Sequence, residues 1–323
     1  MGHFAPPESF GEILAKRMLR MAAVITKAVA FVAIIIIGYL LKRAGFFEAK
    51  DFYLISRIVI KITLPAAIIS NFNKITMETS LLFICIIGIL CNIITIVAGY
   101  VMNLKRGKED KAFAMLNMSG YNVGNFTMPF VQSFLSPVGF AVTSLFDAGN
   151  SVMCTGLTYS IAGMVIGEDG KPSLLKMVKK LFSSVPFDTY VIMTILSILN
   201  IKLPAIIISL SDTAGGANAF LALLMLGIGF EIRMEKEKLA KIIQILSGRY
   251  LIAILVSVAF YFLAPFDIEI RRALAIVSLG PVSSVAPAFT GALKGDVGTA
   301  SAINSLSIII SIVAITIALI VLL

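Results

Sequence analysis

Ten stretches of the chain are apolar over roughly 17–28 residues, and this succession restricts the fold more than any other feature. A helix needs about 20 mainly apolar residues to cross a bilayer, where only helices and closed barrels satisfy all their backbone hydrogen bonds. The stretches are 22–43, 52–72, 80–103, 110–133, 138–165, 186–202, 213–231, 246–265, 270–293 and 297–321. The fourth and the ninth are weaker in hydropathy, and we include them because their flanks require the chain to cross again. The sequence therefore predicts an all-α integral membrane protein with ten transmembrane helices.

The composition agrees with a membrane protein. Hydrophobic residues make up 59% of the chain and charged residues 14%. In a soluble domain, about 45–50% of the residues are apolar and about a quarter are charged. The formal net charge is +9, but the Lys and Arg residues lie in short loops between apolar stretches. That distribution orients a membrane protein and does not form a nucleic-acid-binding face.

Three classes of chemistry lack the residues they need. Cys85, Cys91 and Cys154 form no CxxC pair, so neither a disulfide framework nor a metal site is expected. His3, the single histidine, lies outside the apolar stretches, which argues against histidine-dependent catalysis within the membrane. There is no paired-aspartate motif of an intramembrane protease, so we expect no enzyme and no cofactor.

Residues 1–21 form a polar N-terminal tail that ends in Lys16, Arg17 and Arg20. The apolar stretch that follows is long enough to span a bilayer and has no clear small-residue cleavage site. We expect it to be a retained span and not a removed signal peptide.

The loops predict an orientation. Sixteen Lys and Arg residues lie in the loops after the odd-numbered spans, and seven lie on the other side, including three in the tail. By the positive-inside rule the odd loops are cytoplasmic and both termini are outside.

The longest loop, 166–185, is a basic cytoplasmic linker between two halves, 22–165 and 186–323, of five spans each. An odd number of spans in each half gives the halves opposite orientations, which is typical of secondary transporters. Each half also has a proline late in its fourth span, Pro129 or Pro287, with a Val-Gly pair nine or ten residues later.

These two fourth spans contain residues that interrupt helices. The first reads SGYNVGNFTMPF (119–130), in which Gly120, Gly124 and Pro129 weaken or break a helix. The second reads LGPVSSVAPAF (279–289), with Pro281 and Pro287. Interrupted spans at matching places in two halves indicate a substrate site, and helix N-termini there suit an anion. The alternative is a pair of proline kinks with small residues for close helix packing.

The fourth span resembles that of the auxin efflux carrier family, which includes plant auxin exporters and bacterial permeases for malate or malonate. In that family a proline follows an asparagine by seven residues, as Pro129 follows Asn122, with glycine where this chain has Thr127. Asn125 adds a second amide. The resemblance extends to KITLPAAII (61–69), to the second proline pair and to TASAINSLSIIIS (299–311).

The resemblance implies two inverted five-helix repeats whose broken helices 4 and 9 cross at the membrane midplane. Spans 1, 2, 6 and 7 would form a scaffold, and spans 3–5 and 8–10 would form a transport unit that moves like an elevator. The substrate would be a small organic anion, an auxin-like or malate- or malonate-like carboxylate, at a bacterial plasma membrane. The expected substrate-binding residues are Asn122, Gly124, Asn125, Thr127, Pro129, Pro281, Ser283, Ser284 and Pro287. Thr127 departs from the family, which leaves the shape of the pocket open.

Asp147 is the acidic residue that lies deepest in a span, about 14 Å from the start of span 5 at 1.5 Å per residue. Such residues are functional candidates, and Asn150 lies one helical turn further on. We expect Asp147 to bind a coupling proton or sodium ion, the alternative being a buried carboxyl satisfied by its neighbours. Asn304 is expected to face Asp147. Lys61 either extends its ammonium to the cytoplasmic interface or attracts anions at the entrance.

The sequence thus predicts a secondary transporter, with an anion channel or uniporter on the same helices as the alternative. A channel would repeat polar residues along several helices, whereas here they concentrate in spans 4, 5 and 9. A second copy of the chain, packed through the scaffold helices, is a candidate partner.

Overall fold

The computed structural model describes residues 10–48, 50–76, 78–167, 174–230 and 236–322, and within these ranges the chain is helical, without β-strands beyond one isolated bridge. The helices in chain order are α1 (Phe10–Arg43), α2 (Asp51–Phe72), α3 (Phe83–Met102), α4 (Lys108–Met118), α5 (Met128–Phe134), α6 (Pro137–Val152), α7 (Thr158–Ile166), α8 (Leu174–Leu181), α9 (Val185–Ile198), α10 (Ala205–Gly229), α11 (Leu239–Leu263), α12 (Ile268–Ser278), α13 (Ala286–Ala292) and α14 (Val297–Leu322). The all-α prediction is confirmed.

Six described helices are long and apolar enough to cross a membrane. They are the Met21–Arg43 part of α1, α2, α3, α10, α11 and α14. The remaining expected spans correspond to shorter helices: α4 with α5, α6 with α7, α9, and α12 with α13. The ten-span topology therefore stays a prediction for those four crossings.

The outer faces of the long helices are apolar. On α11, Leu251, Leu255 and Phe262 are each more than 60% exposed. A row of large exposed apolar side chains is unusual in a soluble protein, and it fits a helix whose outer face contacts lipid.

Several boundaries differ from those predicted. The span expected at 213–231 begins at Ala205, and the span expected at 246–265 begins at Leu239. The linker expected at 166–185 contains α8, whose last turn carries Lys179 and Lys180. The tail residues 1–9 lie outside the described part of the chain.

Asp212 immediately precedes the span expected at 213–231, where an acidic residue would cap a helix, but it lies inside α10 and does not cap it. Ser70 of α2 donates a hydrogen bond to its carboxylate, and the Lys74 ammonium lies 3.4 Å from it. The run from Ala205 to Leu210 is apolar enough for the helix to begin about two turns before the acidic residue.

Glycines allow two helix pairs to approach closely. A Cβ on Gly227 of α10 would lie 2.1 Å from the carbonyl oxygen of Ile35, and one on Gly38 of α1 would lie 2.5 Å from that of Leu224. A Cβ on Gly149 of α6 would lie 1.9 Å from the carbonyl oxygen of Cys85 in α3. These contacts follow the small-residue packing of membrane helices, and the second places α6 against α3 beside the candidate site.

Asp296 caps α14. The backbone N–H and the hydroxyl of Thr299 donate to its carboxylate over 3.0 and 2.7 Å, and Lys238 forms an ion pair with it at 2.9 Å. Partial burial acts to raise the pKa of Asp296, but these interactions outweigh it and lower the pKa to about 2. Ser136 caps α6 in the same way, through the N–H of Gly139.

Candidate functional site

Two segments leave the helical conformation and meet each other. Residues 119–122, here called the first break, follow α4, and a π-helical turn, Val123–Thr127, then leads into α5. Residues 279–285, the second break, separate α12 from α13. Tyr121 and Val282 form an antiparallel bridge, and the N–H of Asn122 donates to the carbonyl of Pro281 over 2.9 Å.

Gly120 is required at the first break. Its φ of +74° is costly for other residues, and a Cβ there would lie 2.7 Å from the Cβ of Ser283. The glycine therefore permits both the turn of the chain and the contact between the breaks.

Asparagine side chains satisfy the main chain of the first break. The amide oxygen of Asn150 accepts from the N–H of Tyr121 over 3.0 Å, and its amide nitrogen donates to the Tyr121 carbonyl over 2.8 Å. The Asn92 oxygen accepts from the N–H of Gly120 over 2.8 Å. These groups have no helical partner, and a buried group without one costs about 1–3 kcal/mol.

Polar side chains of α14 do the same at the second break. Asn304 donates to the carbonyls of Val282 and Ser283 over 2.9 and 3.2 Å, and the hydroxyl of Ser307 accepts from the N–H of Val282 over 3.0 Å. Asn304 was expected to face Asp147. Its amide instead bonds to the second break, and Asp147 accepts from other residues.

Arg249 of α11 joins the two breaks. Its guanidinium donates to the carbonyl of Met118 and, over 2.9 Å, to that of Gly280, and it lies 4.8 Å from the centre of the Tyr121 ring. Only 1% of the residue is exposed. A cation at the carbonyl ends of helices is stabilised by their dipoles, and α4 and α12 both end here.

A cavity of about 180 Å³ lies beside the breaks. Among the residues that line it are seven of the predicted site residues: Asn122, Gly124, Asn125, Asp147, Asn150, Ser283 and Ser284. Asn122 donates to the hydroxyl of Ser284 over 2.9 Å, which fixes its amide at the cavity wall. A Cβ on Gly124 would lie 3.1 Å from Leu64 and 3.7 Å from the Asp147 carboxylate, so glycine keeps this part of the wall open.

Asp147 is 8% exposed, and both of its carboxylate oxygens accept hydrogen bonds. Asn150 donates over 3.0 Å and the hydroxyl of Tyr190 over 3.1 Å. Tyr190 belongs to α9, so this pair joins span 5 to span 6.

The other predicted site residues do not line this cavity. Thr127 is fully buried and its hydroxyl donates to the carbonyl of Asn122 over 3.4 Å, so it stabilises the π-helical turn. Pro129 and Pro287 occupy the first turns of α5 and α13, where proline is tolerated. Pro281 contributes its carbonyl. These two helices have seven residues each, so little dipole is available from either.

Lys61 lies in a π-helical turn of α2 (Val59–Thr63), and its side chain is exposed. Its neighbour Ile60 lines the cavity, whereas Lys61 does not. This position fits an ammonium that extends to the interface.

Sequence reasoning missed Arg249, Tyr190 and Asn92. Arg249 had a usable signal, because it is a lone arginine within an otherwise apolar span. Asn92 had a weaker signal of the same kind, and Tyr190 had none.

Comparison with known proteins supports the resemblance. Residues 23–321 match the family described as membrane transport protein, and no curated protein matches the chain. The match covers nearly the whole chain, including both breaks and Arg249. The chain therefore belongs to this membrane transport family, the auxin efflux carrier type, and is an integral, multi-pass membrane protein.

Proposed function

We propose that the chain is a secondary active transporter of a small organic anion, a mono- or dicarboxylate. The observation that carries this proposal is the cavity beside the two breaks, lined by Asn122, Asn125, Ser283 and Ser284. Amides and hydroxyls bind a carboxylate without a buried charge of their own, and Arg249 supplies a positive charge behind them.

The size of the cavity favours a small substrate. Sites for drug-sized ligands occupy roughly 300–1,000 Å³, and this one has about 180 Å³. A malate- or malonate-like acid fits that volume more readily than an auxin-like acid with an aromatic ring.

Two inverted repeats of five spans are part of the proposal, and residue correspondences support them. Asn150 of α6 and Asn304 of α14 each lie in the second helix after a break, and each bonds to the main chain of that break. Asn92 and Arg249 lie in the helices that precede α4 and α12, and each also bonds to a break. These two helices, α6 and α14, both start at a side-chain cap, Ser136 or Asp296.

Elevator-type movement is the proposed mechanism, with spans 3–5 and 8–10 sliding against the scaffold of spans 1, 2, 6 and 7. Few polar contacts join the two groups in the described ranges. The clearest are Tyr190 to Asp147, Gln132 to the carbonyl of Gly215 over 2.9 Å, and Lys27 to that of Ser133 over 2.9 Å. A mainly apolar boundary with a few breakable bonds suits sliding.

We further propose that both termini face outwards and that two chains associate through scaffold helices. Asp147 is the proposed coupling site, with Asn150 as the residue that orients it. We assign no coupling role to Lys61 or Asn304: Lys61 lies exposed near the entrance, and Asn304 holds the second break.

Uptake into proteoliposomes tests the function. A panel of mono- and dicarboxylates is offered under an imposed proton gradient, a sodium gradient or none. We expect one small carboxylate to accumulate against its gradient and to exchange with unlabelled substrate inside. Flux that dissipates gradients without such counterflow identifies a channel, and an absence of gradient dependence for every acid contradicts coupled transport.

A further inference from the structure

Two buried charges of opposite sign lie beside the first break. Asp147 and Arg249 are the two formally charged residues among the buried side chains of the described ranges. Tyr121 lies between them: Asn150 links its main chain to Asp147, and the Arg249 guanidinium stacks on its ring at 4.8 Å. The crossing of the breaks thus contains a fixed positive charge and a carboxyl.

These two groups differ in whether their charge can change. A guanidinium stays protonated in proteins, so Arg249 contributes +1 throughout. Asp147 is −1 when ionised and neutral when protonated. Asp147 lies on α6 and Arg249 on α11, which belong to spans 5 and 8, so both would travel with the substrate in the proposed transport unit.

Net charge decides which states of that unit cross the membrane readily. A net charge moved into a low-dielectric region costs several kcal/mol. The empty site with Asp147 ionised is neutral. A bound monoanion makes it −1, and protonation of Asp147 returns it to zero. Two other states carry a net charge: the empty site with Asp147 protonated is +1, and the loaded site with Asp147 ionised is −1.

We infer that the substrate crosses as a monoanion together with one proton held by Asp147, so that transport is electroneutral; the inference rests on the transporter function proposed above. The proton comes from water on the side where the substrate binds and returns to water on the other side. The O–H bond of the carboxyl is the one bond that forms and breaks. A dicarboxylate would cross in its singly charged form.

The contacts of Asp147 favour a proton over a sodium ion. Its two neighbours, Asn150 and Tyr190, present N–H and O–H hydrogens to it. The amide oxygen of Asn150 already accepts from Tyr121 over 3.0 Å and from Asn92 over 3.2 Å. A hard metal cation needs several oxygen ligands with free lone pairs. The Asn150 oxygen has none left, so the Tyr190 hydroxyl is the one neighbouring oxygen of this pair that could add to the carboxylate.

Other titratable groups lie around Asp147. Tyr190 of α9 donates to its carboxylate, and Tyr121 of the first break and Cys154, in the π-helical turn after α6, line the same cavity. Cys85 of α3 lines a neighbouring pocket together with Tyr190. Phenols and thiols ordinarily ionise above neutral pH. The carboxyl is therefore the most acidic of these groups and the first to give up a proton.

The test uses the carboxylate that the uptake panel selects. With the membrane potential clamped at zero, we expect a gradient of one pH unit to drive about tenfold accumulation of substrate. One proton moving down one pH unit releases the free energy that a tenfold concentration ratio of one substrate requires. With no pH gradient, an imposed potential should drive none. Accumulation driven by potential or by sodium overturns this inference and leaves the transporter function standing. Failure of every carboxylate to be carried contradicts the function itself.

Asp147→Asn gives a second test. Its loaded site stays neutral, whereas its empty site carries +1, so we expect exchange of substrate for substrate to continue and net uptake to be lost. Asp267→Asn is the control, because Asp267 is exposed and, although it is the N-cap residue of α12, its side chain makes no capping hydrogen bond. Equal loss of exchange and net uptake in a variant that elutes like the native protein overturns the inference, because that pattern indicates a structural role.

Discussion

Asn150 uses all the hydrogen-bonding capacity of its side chain at the first break. Its oxygen accepts from Tyr121 and Asn92, and its nitrogen donates to Tyr121 and Asp147. One residue thereby replaces the hydrogen bonds that a regular helix would supply and orients the candidate coupling carboxyl.

We predict that Asn150→Ala destabilises the protein by several kcal/mol, because each buried group left without a partner costs about 1–3 kcal/mol. Asn71→Ala is the matched control, since its side chain donates only to the carbonyl of Ala67 within its own helix. Thermal unfolding in detergent measures both. Equal small shifts in melting temperature would show that water readily replaces Asn150.

At this scale the sequence predicted which residues line the cavity better than what each one does. Asn122, Asn125 and Asp147 were recognisable because polar groups are costly inside a membrane. The role of Thr127 was not, because burial against the π-helical turn depends on the tertiary structure. Arg249 had a signal as a lone arginine in an apolar span, but its partners, the carbonyls of Met118 and Gly280, are set by the tertiary structure.

Among the elements, the broken spans depend on backbone conformation. Gly120 has a positive φ, and a Cβ added to it would lie 2.7 Å from Ser283 of the second break. A residue other than glycine in that conformation costs about 1–3 kcal/mol, and the clash would separate the breaks.

We therefore predict that Gly120→Ala lowers stability by at least about 1 kcal/mol and abolishes transport. Gly216→Ala is the control, because a Cβ there meets nothing within 4 Å and the backbone is helical. Its stability should stay the same or rise slightly. Unfolding curves and uptake rates for the two variants decide the matter, and full transport by Gly120→Ala would refute the tight contact between the breaks.

Element boundaries show where local sequence is insufficient. The sequence predicts that span 7 starts at residue 213, just after Asp212, yet α10 begins at Ala205. Tertiary contacts from Ser70 and Lys74 satisfy Asp212 within the helix. Local polarity alone therefore misplaced the start by two turns.

For the whole molecule, the elevator proposal requires bonds between scaffold and transport unit to break. Gln132 of α5 and Asn218 of α10 lie on opposite sides of that boundary, with 3.3 Å between Oε1 and Nδ2. Thr63 of α2 lies within the scaffold and donates to Asn218 over 3.0 Å.

We predict that cross-linking cysteines at 132 and 218 with a short bifunctional methanethiosulfonate, which forms reducible disulfide links, stops transport, whereas cross-linking cysteines at 63 and 218 does not. The native Cys85, Cys91 and Cys154 are first replaced by serine. Uptake before and after cross-linking, with reduction to release the link, provides the readout. Undiminished uptake with 132 and 218 joined would exclude sliding along this boundary.

The placement of the substrate site at the crossing is tested most directly by the kinetics of Asn122→Ala. Initial uptake rates are measured over a range of substrate concentrations in proteoliposomes that hold equal amounts of folded protein, with Asn73→Ala, at the end of α2, as the control. Loss of one hydrogen bond to an anionic substrate is worth about 1.5–3 kcal/mol, so we predict a KM at least about tenfold higher. An unchanged KM and maximal rate for Asn122→Ala would contradict a substrate site between the two breaks.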